Sequence, residues 1–285
     1  MRILVTGADG RVGQRLCDVL AAQGHVIIGS VHKTPDIADL QPVLDYVRDA
    51  APALVVHLAA LTDVDFCARE PDEALRVNGI GTQHVALACQ ALGIPLCYVS
   101  SNEVFDGERS APYLEYDAPR PINPYGYSKW VGEQAVRDLV PRHYIVRTSW
   151  LLAHGGANFA QKIISRARAG APLSVVTDEI ASPTYVEDLV PALAALIGTA
   201  RYGIYHLVNE GAASRYELAR HILDCCGLAD VPITPIRLAD FVRDSRPPAC
   251  SILRNFNAAH IGIRLRPWQE AIAAFVAREE QASRV

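Results

Sequence analysis

The sequence predicts an α/β fold, a doubly wound parallel sheet with a smaller carboxyl-terminal lobe. Three observations predict it. Short β-branched runs alternate with longer amphipathic stretches up to Trp150. Those runs are nearly all apolar, as strands covered on both faces are, rather than alternating. A glycine-rich turn, "VTGADGRVG", joins the first such run to the first amphipathic stretch.

The first strand is expected over 3–6. A helix follows over 11–23, with Val12, Leu16, Val19 and Leu20 on one face and Gly24 as its stop. Strand "HVIIGSV" comes next, then a helix over 40–50, strand "ALVVHLA" and a helix over 72–92. Strand "PLCYVSS", a helix over 124–139 and strand "YIVRTSW" complete the first half. Beyond Trp150 the rhythm changes. Helices are expected over 158–169 and 185–197, separated by the short run "PLSVV". "GIYHLVN" is one more strand, and helices over 216–226 and 267–280 close the chain. These later helices read as a lobe over the carboxyl edge of the sheet, where open α/β sheets bind ligands.

With 285 residues the chain can bury a substantial core. Half of it is apolar, a fifth is charged, and the net charge is −4, which argues against a nucleic-acid partner held by a general positive field. The seven cysteines include no C-x-x-C pair, so neither a metal site nor a disulfide framework is expected. "MRILVTG" is too short for a signal-peptide core, and "ALVVHLAAL" and "LVPALAALIG" are too short to span a bilayer. The expectation is a cytoplasmic protein with no membrane partner.

The glycine turn carries the first functional reading. Gly7 permits the tight turn, Gly10 lets the backbone approach a pyrophosphate, and Gly13 lets the helix pack on the strand. Arg11 and Val12 begin the helix, whose free N–H groups would face the phosphates. This predicts a Rossmann-type dinucleotide site. At the end of the second strand NAD would be held by a carboxylate, but "GSVHKT" offers Ser30, His32 and Lys33 instead. Basic groups there favour NADPH; NADH stays open.

Tyr125 and Lys129 stand four residues apart on an expected helix and so share a face. An ammonium beside a phenol favours the phenolate, lowering a pKa that is ordinarily about 10. Such a pair can pass a proton to a carbonyl oxygen while a nicotinamide passes hydride. Ser101, at the end of its strand, could bond the same oxygen. Tyr127 is two residues from Lys129 and points elsewhere.

Taken with these residues, "HLAALTDVDFCAREPDEALRVN", "RTSWLLAHGGANF", "TDEIASPTYVEDLV", "GIYHLVNEGAASRYELA" and "RPPACSIL" make the chain resemble the dTDP-4-dehydrorhamnose reductase family of extended short-chain dehydrogenases/reductases. The resemblance implies a nucleotide-binding domain over 1–151 plus about 185–209. It implies a substrate-binding domain over about 152–184 and 210–285. It implies Ser101, Tyr125 and Lys129 as the catalytic set, with Ser101 where the family usually has threonine. Tyr125 would protonate the forming alkoxide, and Lys129 would hold the nicotinamide ribose. Ala59, Ala60 and Thr62 would contact the cofactor, and Asp36 and Ile37 would lie near the adenine. The substrate would be a nucleotide sugar with a 4-ketone, met by Asn102, Glu103, Val104, Trp150 and Asn158. Arg246, whose guanidinium fork suits a diphosphate, joins them. A homodimer stays open.

Three features complicate that reading. The family usually has Thr-Asp-Tyr where this chain has Ser101-Asn102-Glu103. Glutamate there resembles nucleotide-sugar dehydratases, but Asn102 removes their acid, and half an acid–base pair does not run that elimination. Glu103 therefore binds a sugar hydroxyl, acts as a base in another sugar reaction, or holds a local bond. Glu179 and Ala181 stand where the family often has glutamine and glycine. Two alternatives remain: an epimerase or dehydratase of nucleotide sugars, and a non-catalytic cofactor-binding subunit resembling the beta subunit of methionine adenosyltransferase. His57 and His206 read as core histidines, and Asn78 as a structural or relay residue.

Overall fold

The computed structural model describes residues 1–156 and 158–282. The first half alternates as the apolar runs require: β1 (Arg2–Thr6), α1 (Arg11–Ala22), β2 (Val26–Ser30), α2 (Leu40–Ala50) and β3 (Leu54–His57). Next come α3 (Val64–Arg69), α4 (Pro71–Ala74), a π-helical segment (Leu75–Gly81) and α5 (Thr82–Leu92). β4 (Leu96–Ser101) leads through a 3₁₀ turn (Asn102–Val104) and a long loop to α6 (Pro124–Leu139) and β5 (His143–Thr148). The later chain is built from shorter pieces. They are β6 (Leu151–Leu152), α7 (Phe159–Arg168), β7 (Leu173–Val176), β8 (Ile180–Ala181), β9 (Thr184–Tyr185), α8 (Val186–Ile197) and β10 (Gly203–His206). β11 (Ala213–Ser214), α9 (Arg215–Cys225), β12 (Ile233–Ile236), α10 (Phe256–His260) and α11 (Trp268–Ala282) follow.

Six strands form one parallel sheet in the order β10-β5-β4-β3-β1-β2. Strand order reverses at β1, so the loops after β1 and β3 part there and open a crevice at the carboxyl edge. One face of the sheet packs Ile3, Val5, Val56 and Val146 against α1 and α8. The other packs Leu4, Val55, Tyr98 and Ile145 against α2, α5 and α6. Burial on both faces explains the unbroken apolar runs. A separate core joins α7, α9 and α11 around Ile164, Leu218, Ile222, Trp268 and Phe275. No helix among the described residues is long and apolar enough to cross a membrane.

The expected helix over 72–92 is one helical run whose middle is π-wound. Gly79 lies so close to α6 that a Cβ there would meet Val131 Cγ1 at 3.1 Å and Leu75 Cδ1 at 2.8 Å. The wide turn turns Asn78 inward, where its amide bonds Leu61 N at 2.8 Å, Leu61 O at 3.0 Å and Ser128 Oγ at 3.0 Å. Thr82 Oγ1 donates to the Asn78 carbonyl at 2.6 Å. Asn78 thus ties the loop after β3 to α6. α3, absent from the sequence reading, begins where Asp63 accepts from Phe66 N, a side-chain cap.

Candidate active site

The crevice is a cleft of about 880 Å³ at the carboxyl ends of β1, β3 and β4. At its floor Gly7 holds φ +66°, and a Cβ there would sit 2.9 Å from Ala59 N. A Cβ on Gly13 would fall 2.1 Å from the Gly7 carbonyl oxygen, so α1 can lie this close to the turn only without a side chain. Gly10 caps α1 with no side-chain hydrogen bond, and the first turn carries no acid. The first N–H groups of α1, beside Gly10, Arg11, Val12 and Gly13, therefore border the cleft without a side-chain partner, a cradle for an anion. Thr6 Oγ1 accepts from Leu58 N and Ala59 N, each at 3.2 Å, and fixes the facing loop that carries Ala59, Ala60 and Thr62. His57 is fully buried between Thr6 Oγ1 (2.6 Å) and Thr82 Oγ1 (3.1 Å). Burial and the nearby Lys129 push its pKa down to about 3, so it is a neutral core histidine.

The end of β2 brings Ser30, His32, Lys33, Asp36 and Ile37 to the same cleft. Ser30 is buried and donates to Thr34 O at 2.9 Å, while His32 and Lys33 are exposed. Asp36 turns its Oδ1 to Ala38 N. Arg76, from the π-helical segment, lies 3.8 Å from Asp36, pairs with Glu73 at 2.7 Å and also lines the cleft. The only sequence sign of Arg76 was its place in the quoted "DEALRVN" stretch, because its position at the cleft depends on where the segment crosses the end of β2.

Asn123 begins α6 by accepting from Gly126 N at 2.8 Å, with Pro124 as first helical residue. That cap sets Tyr125 and Lys129 one turn apart beside Ser101, which ends β4 and is 7% exposed. All three line the cleft, and Ser101 lies near enough to the phenol to oppose the rise of its pKa. The electrostatics differ from the sequence expectation. Lys129 Nζ donates to Val99 O at 2.8 Å and stands 4.3 Å from the Tyr98 ring centroid. Burial lowers its pKa to about 7, against the pull of Glu133. The Tyr125 phenol is driven up by burial and then by Glu103, with Ser101 opposing. Desolvation outweighs the expected cation effect, and Tyr125 keeps its proton at neutral pH. Behind the pair, Glu133 and Arg147 form a buried, doubly bonded ion pair (2.7 and 2.9 Å), and Ser100 Oγ donates to Glu133 at 2.6 Å.

At the far end of the cleft stand Asn102, Glu103, Trp150 and Arg215. Asn102 is buried, donating to Ser251 Oγ at 2.7 Å and accepting from Ser101 Oγ at 3.3 Å. Glu103 Oε2 accepts from Asn123 Nδ2 at 2.7 Å. Burial raises its carboxyl to about 7; the Asn123 bond and the charges of Arg243 and Arg215 oppose this, and Glu179 adds to it. Trp150 takes φ +40°, and the Arg215 guanidinium lies 3.4 Å from its ring centroid while bonding Glu179 at 3.0 Å.

Three expected substrate contacts are corrected. Val104 is fully buried in an apolar cluster with Phe105, Tyr113 and Leu253, because the 3₁₀ turn points it away from the cleft. Asn158 spends its amide as the cap of α7, accepting from Gln161 N at 3.0 Å and donating to Ala153 O at 2.7 Å. Arg246 is exposed and is not among the cleft-lining residues; its backbone carbonyl, not its guanidinium, meets the site, through Asn123. The guanidinium at this end is Arg215. The only sequence sign of it was its place in the quoted "AASRYELA" stretch.

A family profile described as the RmlD substrate binding domain matches residues 1–281. The Bacillus subtilis spore coat polysaccharide biosynthesis protein SpsK is 36% identical over 281 residues, 99% of each chain. A dTDP-4-dehydrorhamnose reductase of Mycolicibacterium smegmatis is 36% identical over 280 residues, 97% of this chain and 85% of the relative. A solved dTDP-4-dehydrorhamnose reductase from Bacillus anthracis in complex with NADP superposes with a TM-score of 0.93 at 36% identity, covering 97% of this chain and 99% of that one.

Proposed function

This chain belongs to the RmlD substrate binding domain family, and from that premise we propose that it is an NADPH-dependent reductase of a dTDP-linked 4-keto-6-deoxy sugar, acting as a dTDP-4-dehydrorhamnose reductase. The observation that carries the proposal is the convergence of a protonated phenol, Tyr125, with an uncapped glycine-rich helix start in one cleft.

The cradle fits a dinucleotide on its own terms: the positions that a Cβ would fill, Gly7 and Gly13, are glycine, and the helix N–H groups have no side-chain cap. Exposed His32 and Lys33, just past the end of β2, would meet the extra phosphate of NADPH, while the carboxylates nearby are turned to backbone N–H groups, Asp9 to His32 N at 3.1 Å and Asp36 to Ala38 N at 3.0 Å. When bound, the cofactor supplies hydride for the ketone carbon. The chain supplies the rest. Tyr125 gives its proton to the ketone oxygen as that oxygen becomes an alkoxide, and a phenol held protonated is the form this step needs. Ser101 holds the same oxygen in line. Lys129, poised near neutrality, orients a ribose hydroxyl and returns a proton toward Tyr125. Trp150 and Arg215 close the far end, where the guanidinium offers donors to the sugar nucleotide.

The test is NADPH oxidation by the purified full chain given a dTDP-4-keto-6-deoxyhexose. Turnover that stops with Tyr125→Phe supports the proposal. A protein that binds NADPH and leaves it unchanged with this sugar would instead match the non-catalytic subunit.

A further inference from the structure

We propose that the same cleft runs a second proton transfer, in which Glu103 removes a proton from a carbon flanking the sugar ketone while Tyr125 protonates the ketone oxygen, so that the chain exchanges that carbon-bound hydrogen with solvent. The proposal rests on the keto-sugar reading above and goes beyond hydride transfer.

The geometry couples the two groups through one residue. Asn123 Oδ1 caps the helix that carries Tyr125, and Asn123 Nδ2 holds Glu103 Oε2 at 2.7 Å. Gly126, next to Tyr125, packs directly on the Glu103 backbone: a Cβ at Gly126 would lie 2.0 Å from the Glu103 carbonyl oxygen. The carboxyl and the phenol are thus fixed to one helix start and line one cleft. Among the described residues Glu103 Oε1 has no hydrogen-bond partner, so one carboxylate oxygen is held and the other is available to take a proton. Neighbouring acidic side chains serve differently: Glu179 is bonded to Arg215 and Glu73 to Arg76.

The chemistry balances without an added reactant. The C–H bond next to the ketone breaks and its proton goes to Glu103. The electron pair forms the enol double bond, and the carbonyl π pair moves to oxygen, which takes the Tyr125 proton. Reversal restores both groups, and Glu103 trades its proton with water between the two halves. The environments suit these roles. Tyr125 is kept an acid by burial and by Glu103, whereas burial places the Glu103 carboxyl at about 7, charged in part of the population at neutral pH and more basic than an exposed glutamate. Two titratable groups set apart in this way mark an acid and a base.

The experiment incubates the full-length chain with a dTDP-4-keto-6-deoxyhexose in D₂O. NADP⁺ fills the cofactor site so that no ketone is reduced, and deuterium in the sugar is read by mass spectrometry against an enzyme-free sample. A parallel sample with NADPH measures reduction of the same sugar. The expected result is exchange well above the enzyme-free rate. Glu103→Gln should lower exchange by about 10²-fold or more and lower the ratio of exchange to reduction, while Tyr125→Phe should lower both rates. NADP⁺ binding reports that each variant has folded, and the wild-type exchange rate is decisive without any variant. A wild type that reduces the sugar while exchange stays at the enzyme-free rate overturns the proposal, as does a folded Glu103→Gln variant that exchanges at the wild-type rate. Loss of both exchange and reduction in a wild type that binds NADP⁺ refutes the keto-sugar reading, and this activity with it.

Discussion

Glu103→Gln should stabilise the cofactor-free protein, and increasingly so as the pH rises. The carboxyl is displaced from an ordinary 4.5 to about 7, chiefly by burial. Each pH unit of displacement is worth ~1.4 kcal/mol, so charging this group in the folded state costs roughly 3 kcal/mol in full and about 2 once cleft water is allowed for. The sign follows from proton counting. Between its unfolded and folded pKa values the folded chain binds more proton than the unfolded one, so stability is fully present below about pH 4.5 and is lost as pH rises through about 7. Glutamine keeps the size of the side chain and can still accept from Asn123 Nδ2, but never charges. The variant and the wild type should therefore unfold alike near pH 4 and below. Near pH 8 the variant should lead by about 2 kcal/mol, or several degrees in Tm. Urea or thermal unfolding of both proteins across that range measures the difference. A stability difference that stays flat with pH would refute the claim that desolvation governs this carboxyl.

Tyr125→Phe should cut turnover by ~10²–10⁴-fold and leave NADPH binding near the wild-type level, which paired rate and cofactor titrations would show; wild-type turnover would remove Tyr125 as the acid. Gly13→Ala places a methyl 2.1 Å from the Gly7 carbonyl oxygen, and α1 must shift. Overpacking of this kind costs ~1–3 kcal/mol and should weaken NADPH binding, so unchanged cofactor affinity would argue against the cradle. Glu133→Gln strips the buried Arg147 of its charge partner, a change that typically costs ~3–5 kcal/mol; a loss under 1 kcal/mol in denaturant unfolding would mean that the pair carries little weight. Arg215→Ala should raise KM for the nucleotide sugar by roughly tenfold with kcat less affected, and equal KM values would place the diphosphate elsewhere.

The local parts of the site were legible in the sequence. Gly7 and Gly13 are demanded by a positive φ and by contact between a helix and its own preceding turn, so their reason lies within a few residues. The spacing of Tyr125 and Lys129 is a helical repeat, and Asn123-Pro124 is a helix start written in the chain. The residues that went astray depend on distant partners. Val104 belongs to an apolar cluster completed by Val208 and Leu253. Arg215 reaches the cleft by resting on Trp150, and Arg76 by crossing near Asp36. Asn158 was visible as a polar residue, but the cap it makes on α7 already occupies its amide.

By itself the sequence determined the alternation of strand and helix, the double-sided burial of the sheet, the phosphate turn and the phenol–lysine row. Each of these follows from periodicity and backbone sterics among near neighbours. Only the tertiary structure decided how the charges behave. Lys129 is drawn to the Val99 carbonyl and the Tyr98 ring, Tyr125 is held protonated, and Glu103 sits near neutrality. Desolvation depends on which parts of the chain exclude water from a group, and those parts come from far along the sequence.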